Sequence, residues 1–202
     1  MNTSTPETKA WAKQNLFDFM DILEECGIIA WLDGGTLLGA YRDGDFCDGD
    51  EDDIDIFTWS RPDIDEKIRE VIGLAETRGF KVHRHWKGDR RAPGMAQEVA
   101  FYREHTGRLK IDFNVFERKG SMAWGLAYVG KDEGIPQVVP ARFYDQLAPI
   151  AFLGRIFQAP GDADGYLTHR YGDWRTKIHR TAYRYDNPDQ LRALKPGFKF
   201  WK

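Results

Sequence analysis

Two cysteines, Cys26 and Cys47, are all the sulfhydryl chemistry in 202 residues. They lack the paired spacing of a zinc site or a disulfide framework, so reduced thiols are expected. No stretch approaches the roughly 20 apolar residues needed to cross a bilayer. The N-terminus, Met1-Asn-Thr-Ser-Thr-Pro-Glu7, lacks a basic start followed by an apolar run, and the expectation is a cytoplasmic protein without a membrane span. Positive charge is not in excess either. Twenty-nine Lys and Arg against 32 Asp and Glu leave a net charge of -3, which gives no general attraction for a polyanion, and nucleic acid is not expected as a partner. Neither Gly-x-Ser-x-Gly nor a phosphate-loop Gly-Lys-Ser/Thr occurs, so serine hydrolase and P-loop kinase chemistry are set aside. Repeats, low-complexity tracts and a clear linker are absent as well.

What is present supports a packed core: 42% hydrophobic residues and 14% aromatics in a length that suits one domain. The expectation is a single domain over 1–202 with a poorly determined basic, aromatic tail from about 187. Ser4 to Glu7 matches a capping box with Pro6 in the first turn, and Ala12, Leu16, Phe19, Leu23 and Cys26 recur at helical spacing up to Gly27. Ile28 to Leu32 reads as a buried strand ending at a glycine turn, and Thr36 to Tyr41 as a short helix. Asp53 to Phe57 alternates like a half-buried strand. Ser60 to Asp63 reads as the cap of a helix running to about Arg78, with Ile64, Ile68, Val71, Ile72 and Ala75 inward. Phe80–Trp86, Gln97–Arg103, Leu109–Phe116 and Met122–Val129 are rich in β-branched and aromatic residues, which predicts a mainly antiparallel meander. Ala151–Ala159 reads as one further strand and Asp162–Arg170 as a short helix. The fold class is therefore α+β, a mixed, mainly antiparallel sheet with flanking helices.

The chemistry concentrates at Trp31-Leu-Asp-Gly-Gly-Thr-Leu-Leu-Gly-Ala-Tyr-Arg42 and the acidic run that follows. Gly34 and Gly35 let backbone approach a phosphate without an intervening Cβ, and amides at the start of the following helix face whatever lies above them. Eight of the thirteen residues from Asp43 to Asp55 are acidic. Such crowding is costly unless water or a cation screens it, so a solvated loop and a metal site both stand. Asp48, Asp50 and Asp52 have the first spacings of an EF-hand, but Asp53 replaces the required glycine and Trp59 the bidentate Glu. Asp53 and Asp55 lie one residue apart on a strand and point the same way, which is the protein's usual share of an octahedral Mg2+ site completed by substrate phosphates. Asp112, in Leu109-Lys-Ile-Asp-Phe-Asn-Val115, alternates with Ile111 and Phe113 and supplies a third carboxylate, or else marks the wet face of an edge strand. Lys110 shares its face, as a phosphate ligand or as the partner of Asp112.

Gly34-Gly-Thr-Leu-Leu-Gly-Ala-Tyr-Arg42, Asp52-Asp-Ile-Asp55 and Tyr171-Gly-Asp-Trp174 together resemble the LicD/fukutin family of the nucleotidyltransferase (DNA polymerase beta-like) fold. The resemblance implies a transferase that moves phosphocholine or a polyol phosphate from a CDP-linked donor to a hydroxyl of a sugar, glycan or small molecule. It further implies divalent metals, Mg2+ or Mn2+, on Asp53, Asp55 and Asp112, with Asp112 also placed to take the acceptor's proton. Gly34, Gly35 and Thr36 would cradle the phosphates and Arg42 would neutralise their charge. Two alternatives remain: a nucleotidyltransferase that places a nucleoside monophosphate on a small-molecule hydroxyl, and a non-catalytic nucleotide or calcium binder.

Other candidates carry less. His83 and His85 would share a strand face, with no third metal ligand nearby. Arg90 and Arg91 fall in an expected loop, as phosphate clamps or solvated charges. Tyr171, Asp173 and Trp174 read as packing, or as an aromatic floor for a base or cationic headgroup. The acceptor, the donor headgroup and the oligomeric state are not encoded in these patterns.

Overall fold

The computed structural model describes residues 4–87, 97–107, 109–128 and 134–177. Helix α1 (Pro6–Glu25) is capped by Thr5, whose side chain accepts from the Thr8 amide while the Thr8 hydroxyl accepts from the Thr5 amide. The expected Ser4–Glu7 box is thus displaced by one residue, because Thr8 serves the cap that Glu7 was expected to serve. The inward residues Ala12, Leu16, Phe19 and Leu23 are fully buried, as their spacing predicted.

Strand β1 (Ala30–Leu32) is shorter than expected, with Ile29 left 74% exposed before it. Helix α2 (Gly34–Arg42) begins two residues earlier than expected, directly at the glycine pair. Strand β2 (Asp53–Trp59) follows the acidic loop, and α3 (Ile64–Thr77) buries Ile64, Ile68, Val71 and Ala75. The Ser60–Asp63 box does not form. Asp63 is the N-cap but makes no side-chain cap bond, its carboxylate being held by Arg61 at 2.9 Å.

The meander comprises β3 (Lys81–Lys87), β4 (Gln97–Tyr102), β5 (Lys110–Lys119) and β6 (Met122–Tyr128), joined by β7 (Gly134–Pro140), which the residue pattern did not reveal. Strand order is β1-β2-β5-β4-β3, with β6 on the extended end of β5 and β7 beside it. All of these pairs are antiparallel except β2 with β5. The α+β class and the mainly antiparallel sheet are as read. The apolar segment Ala151–Ala159 is not one strand but a hairpin of β8 (Leu147–Phe152) and β9 (Arg155–Pro160), turned by Leu153 at φ 51° and Gly154 at φ 89°. Helix α4 (Ala163–Tyr171), capped by Asp162 on the Gly165 amide, closes the described chain.

The sheet has two unlike faces. Ile54, Ile56, Ile111, Phe113, Val99 and Phe101 are buried in one core cluster with the inner residues of α1 and α3, and Phe19 packs on both Phe101 and Phe113. On the other face the same strands carry Asp53, Asp55, Lys110, Asp112, Asn114 and Glu98, with Ala100 among them. At roughly 25 cal/mol per Å2 of apolar surface removed from water, the first face supplies the stabilisation and the second is free for chemistry. Among the described residues no helix is long and apolar enough to cross a membrane. The tail from about 187 and the Arg90–Arg91 loop lie outside the described residues.

Candidate active site

The single parallel pairing sets the site. Register places Asp55 opposite Asp112 and Asp53 opposite Lys110, so all four side chains rise from one face of adjacent strands. Beyond β5, Ala100 of β4 faces Asp112, and Arg84 of β3 faces Ala100. Arg84 reaches back across that small residue. Its Nη2 donates to Asp112 Oδ2 at 2.8 Å and its Nε to Glu98 Oε1 at 2.7 Å.

Asp55 is the most constrained of the carboxylates. Its Oδ2 accepts the Gly35 amide at 2.8 Å, its own amide donates to Thr36 Oγ1 at 2.9 Å, and its carbonyl accepts from the Asp33 amide at 3.3 Å. A Cβ on Gly34 would collide with Asp55 Oδ2, and one on Gly35 with Asp50 Oδ2; Gly34 also holds φ +53°, where a side chain is strained. The two glycines therefore exist for close approach, as expected, but the groups lying on them are carboxylates. The Gly35 amide and the Thr36 hydroxyl, expected to cradle phosphate, are both engaged by Asp55.

Electrostatics follow from this crowding. Burial, then the Asp53 charge, holds the Asp55 carboxyl well above the ordinary carboxylate range, with Asp112 and Asp50 adding and Arg170 opposing. Burial, Asp53 and Glu98 push Asp112 up to about 7 against the pull of Arg84 and Lys110. Asp112 Oδ1 is buried with no hydrogen-bond partner. A strongly acceptor oxygen left unpaired beside other carboxylates is a place where a hard divalent cation, bound through oxygen, relieves both the repulsion and the missing bond. Asp53, Asp55 and Asp112 share one sheet face and offer the oxygen donors that Mg2+ or Mn2+ takes. Among the described residues no three potential ligands already stand at ligating distance, since Asp55 rests on Gly35 and Asp112 on Arg84. Lys110 forms no ion pair among the described residues, so its charge stays on the site face.

Other expected residues are placed elsewhere. Arg42 donates to Asp43 from Nε (3.1 Å) and Nη2 (2.9 Å), to Cys47 Sγ at 3.4 Å and to the Trp174 carbonyl at 3.2 Å. It ties the end of α2 to the Tyr171–Trp174 block. Trp174 is buried against Tyr41, with ring centroids 5.5 Å apart, and donates from Nε1 to Thr168; Asp173 accepts from Thr176. A bulge in β3 separates the histidines: His83 stacks edge-on to Tyr102, while His85 bonds Gln97, which reaches Asp65 near the start of α3.

Asp33 and Arg170 carry weight that the local pattern did not convey. Asp33 is fully buried and caps α2 through the Gly34 amide at 2.7 Å. It also accepts from Trp31 Nε1 (3.0 Å) and Tyr144 Oη (2.9 Å), and from Tyr166 Oη, with Arg170 3.9 Å away. Burial and then the Asp33 charge hold the Tyr144 hydroxyl well above its ordinary range, so it remains a donor to Asp33. Four buried donors fix the residue immediately before the glycines, and through them the position of Asp55.

The family model described as "LicD/FKTN/FKRP, nucleotidyltransferase domain" matches residues 27–162, which contain every carboxylate of this site but not Tyr171–Trp174. Two curated relatives, "Ribitol 5-phosphate transferase FKRP" of Homo sapiens and of Mus musculus, are each 27% identical over 157 residues, or 75% of this chain. The chain spans 29% of the length of each. A solved structure, ANT(2")-Ia in complex with adenylyl-2"-tobramycin, aligns with a TM-score of 0.45 at 16% identity, covering 89% of this chain and 85% of that one.

Proposed function

Because this chain belongs to the LicD/FKTN/FKRP nucleotidyltransferase-domain family, we propose that it transfers a substituted phosphate, a polyol phosphate such as ribitol phosphate or phosphocholine, from a CDP-linked donor to a sugar or glycan hydroxyl. The observation that carries this reading is the convergence of Asp53, Asp55 and Asp112 on one sheet face, with an unpaired buried oxygen on Asp112. Those three residues would hold Mg2+ or Mn2+, which when bound neutralises the charge that develops on the phosphate oxygens.

The chain's own groups account for the rest. The acceptor oxygen attacks the phosphorus that bears the alcohol, the bond to the CMP oxygen breaks, and CMP leaves with that electron pair. Asp112 has two carboxylate oxygens on the site face, so one oxygen would hold the metal while the other receives the acceptor's proton. Thr36 and Asp33 hold the Asp55 backbone and the Gly35 amide holds its Oδ2, which fixes this residue beside the glycine turn. Lys110 supplies a cation on the same face for donor phosphate.

Purified protein with Mg2+ is expected to release CMP from CDP-ribitol or CDP-choline when an acceptor sugar is present, and to lose this with EDTA. Pyrophosphate release from a nucleoside triphosphate would instead indicate nucleotidyl transfer. Thermal stabilisation by nucleotide or Ca2+ without turnover would indicate a non-catalytic binder.

A further inference from the structure

Arg84 comes from β3, two strands away from Asp112, and its guanidinium is only 13% exposed. Glu98, whose carboxylate is 3% exposed, holds its Nε edge, and Asp112 Oδ2 takes Nη2 at 2.8 Å. A buried guanidinium needs such partners, yet one of them is a carboxylate that the proposed function assigns to a divalent cation. Asp112 has its other oxygen unpaired, whereas Glu98 spends one oxygen on two nitrogens of Arg84. The two carboxylates share Nη2, and Glu98 alone also holds Nε, so Glu98 is the anchor and the single Asp112 contact is the exchangeable one.

We propose that Arg84 is a donor-phosphate ligand held in reserve: it neutralises Asp112 in the metal-free protein, and once metal and donor arrive its Nη2 turns from Asp112 to the diphosphate while Glu98 keeps Nε in place. This rests on the reading of Asp112 as a metal ligand. Arginine suits the exchange because its planar fork pairs with carboxylate and phosphate alike and keeps its charge throughout. Ala100 makes it sterically feasible, being the small residue between β3 and β5 over which the side chain passes.

The exchange predicts opposite signs for two ligands. In Arg84→Gln, calorimetric titration with Mn2+ alone is expected to show binding about fivefold tighter, since one competing positive charge is gone. Binding of CDP at saturating Mg2+ is expected to weaken about tenfold, the worth of one charge-assisted hydrogen bond. Arg84→Gln leaves Glu98 buried and unpaired, so Arg84→Gln/Glu98→Gln, which removes both charges, carries the CDP expectation if the single variant does not fold. Glu98→Gln alone leaves Arg84 to Asp112 and is expected to weaken Mn2+ binding. Weaker or unchanged Mn2+ binding in folded Arg84→Gln, or CDP binding equal to wild type in either Arg84 variant, overturns the inference and makes Arg84 a structural brace. If the wild type itself binds no Mn2+, or Asp112→Asn binds it equally well, the underlying metal-site reading is what has failed.

Discussion

The two faces of the β2-β5-β4 sheet are built from the same strands and differ in everything else. On one, Ile54, Ile56, Ile111, Phe113, Val99 and Phe101 meet α1 and α3 and are at most 1% exposed. On the other, Asp53, Asp55, Asp112 and Glu98 crowd together with Arg84 and Lys110 as the nearby cations. Period-2 alternation lets one strand serve both without compromise, so stability and chemistry are separable by odd and even positions. The carboxylate face costs stability, and the apolar face offsets that cost.

The largest expected break is on the apolar face. Phe113→Ala empties a fully buried ring site that touches Phe19, and urea denaturation is expected to show a loss of about 3–5 kcal/mol with activity lost through unfolding. The converse belongs to the other face. Asp53→Asn is expected to lower turnover by about a thousandfold, on the scale of losing a principal electrostatic stabiliser. Its urea midpoint should equal or exceed that of wild type, because a like charge has been removed. A fall in stability with turnover retained would erase the distinction between the faces.

A smaller effect should appear in pH dependence. Asp112 titrates near 7 in the folded chain and near the ordinary carboxylate value when unfolded, so its native form favours the proton. Between those values the unfolded chain binds fewer protons, and metal-free stability is therefore expected to fall as pH rises from about 4 to 7. Asp112→Asn should flatten that slope in urea titrations, and Mn2+ binding to the wild type should strengthen over the same interval as the proton is displaced. The smallest change, Ile111→Val, is expected to cost about 1 kcal/mol by thermal or urea unfolding and to leave turnover intact.

The alternation of charged and apolar residues made both faces legible before any coordinates, and with them the grouping of Asp53, Asp55 and Asp112. Arg84 and Arg170 were not legible, since each acquires its role from partners 28 and 137 positions away in sequence, through strand pairing and helix docking that no local window contains. The diglycine reads as a point of close approach to phosphate, whereas the groups that lie against it are Asp50 from within the acidic loop and Asp55 from beyond it. Arg42 reads as free for phosphate in the sequence because its tie to the Trp174 carbonyl joins positions 132 residues apart. The Leu153–Gly154 turn was hidden inside an apolar run in which a leucine, not a polar residue, takes positive φ.

The central claim is that three carboxylates of one face together hold a divalent cation for phosphate transfer. Its most direct test is calorimetric titration of Mn2+ into the folded wild type, Asp53→Asn, Asp55→Asn and Asp112→Asn proteins. The account predicts binding by the wild type and its loss in each variant, with folding preserved. Binding of equal strength in all four proteins would contradict it.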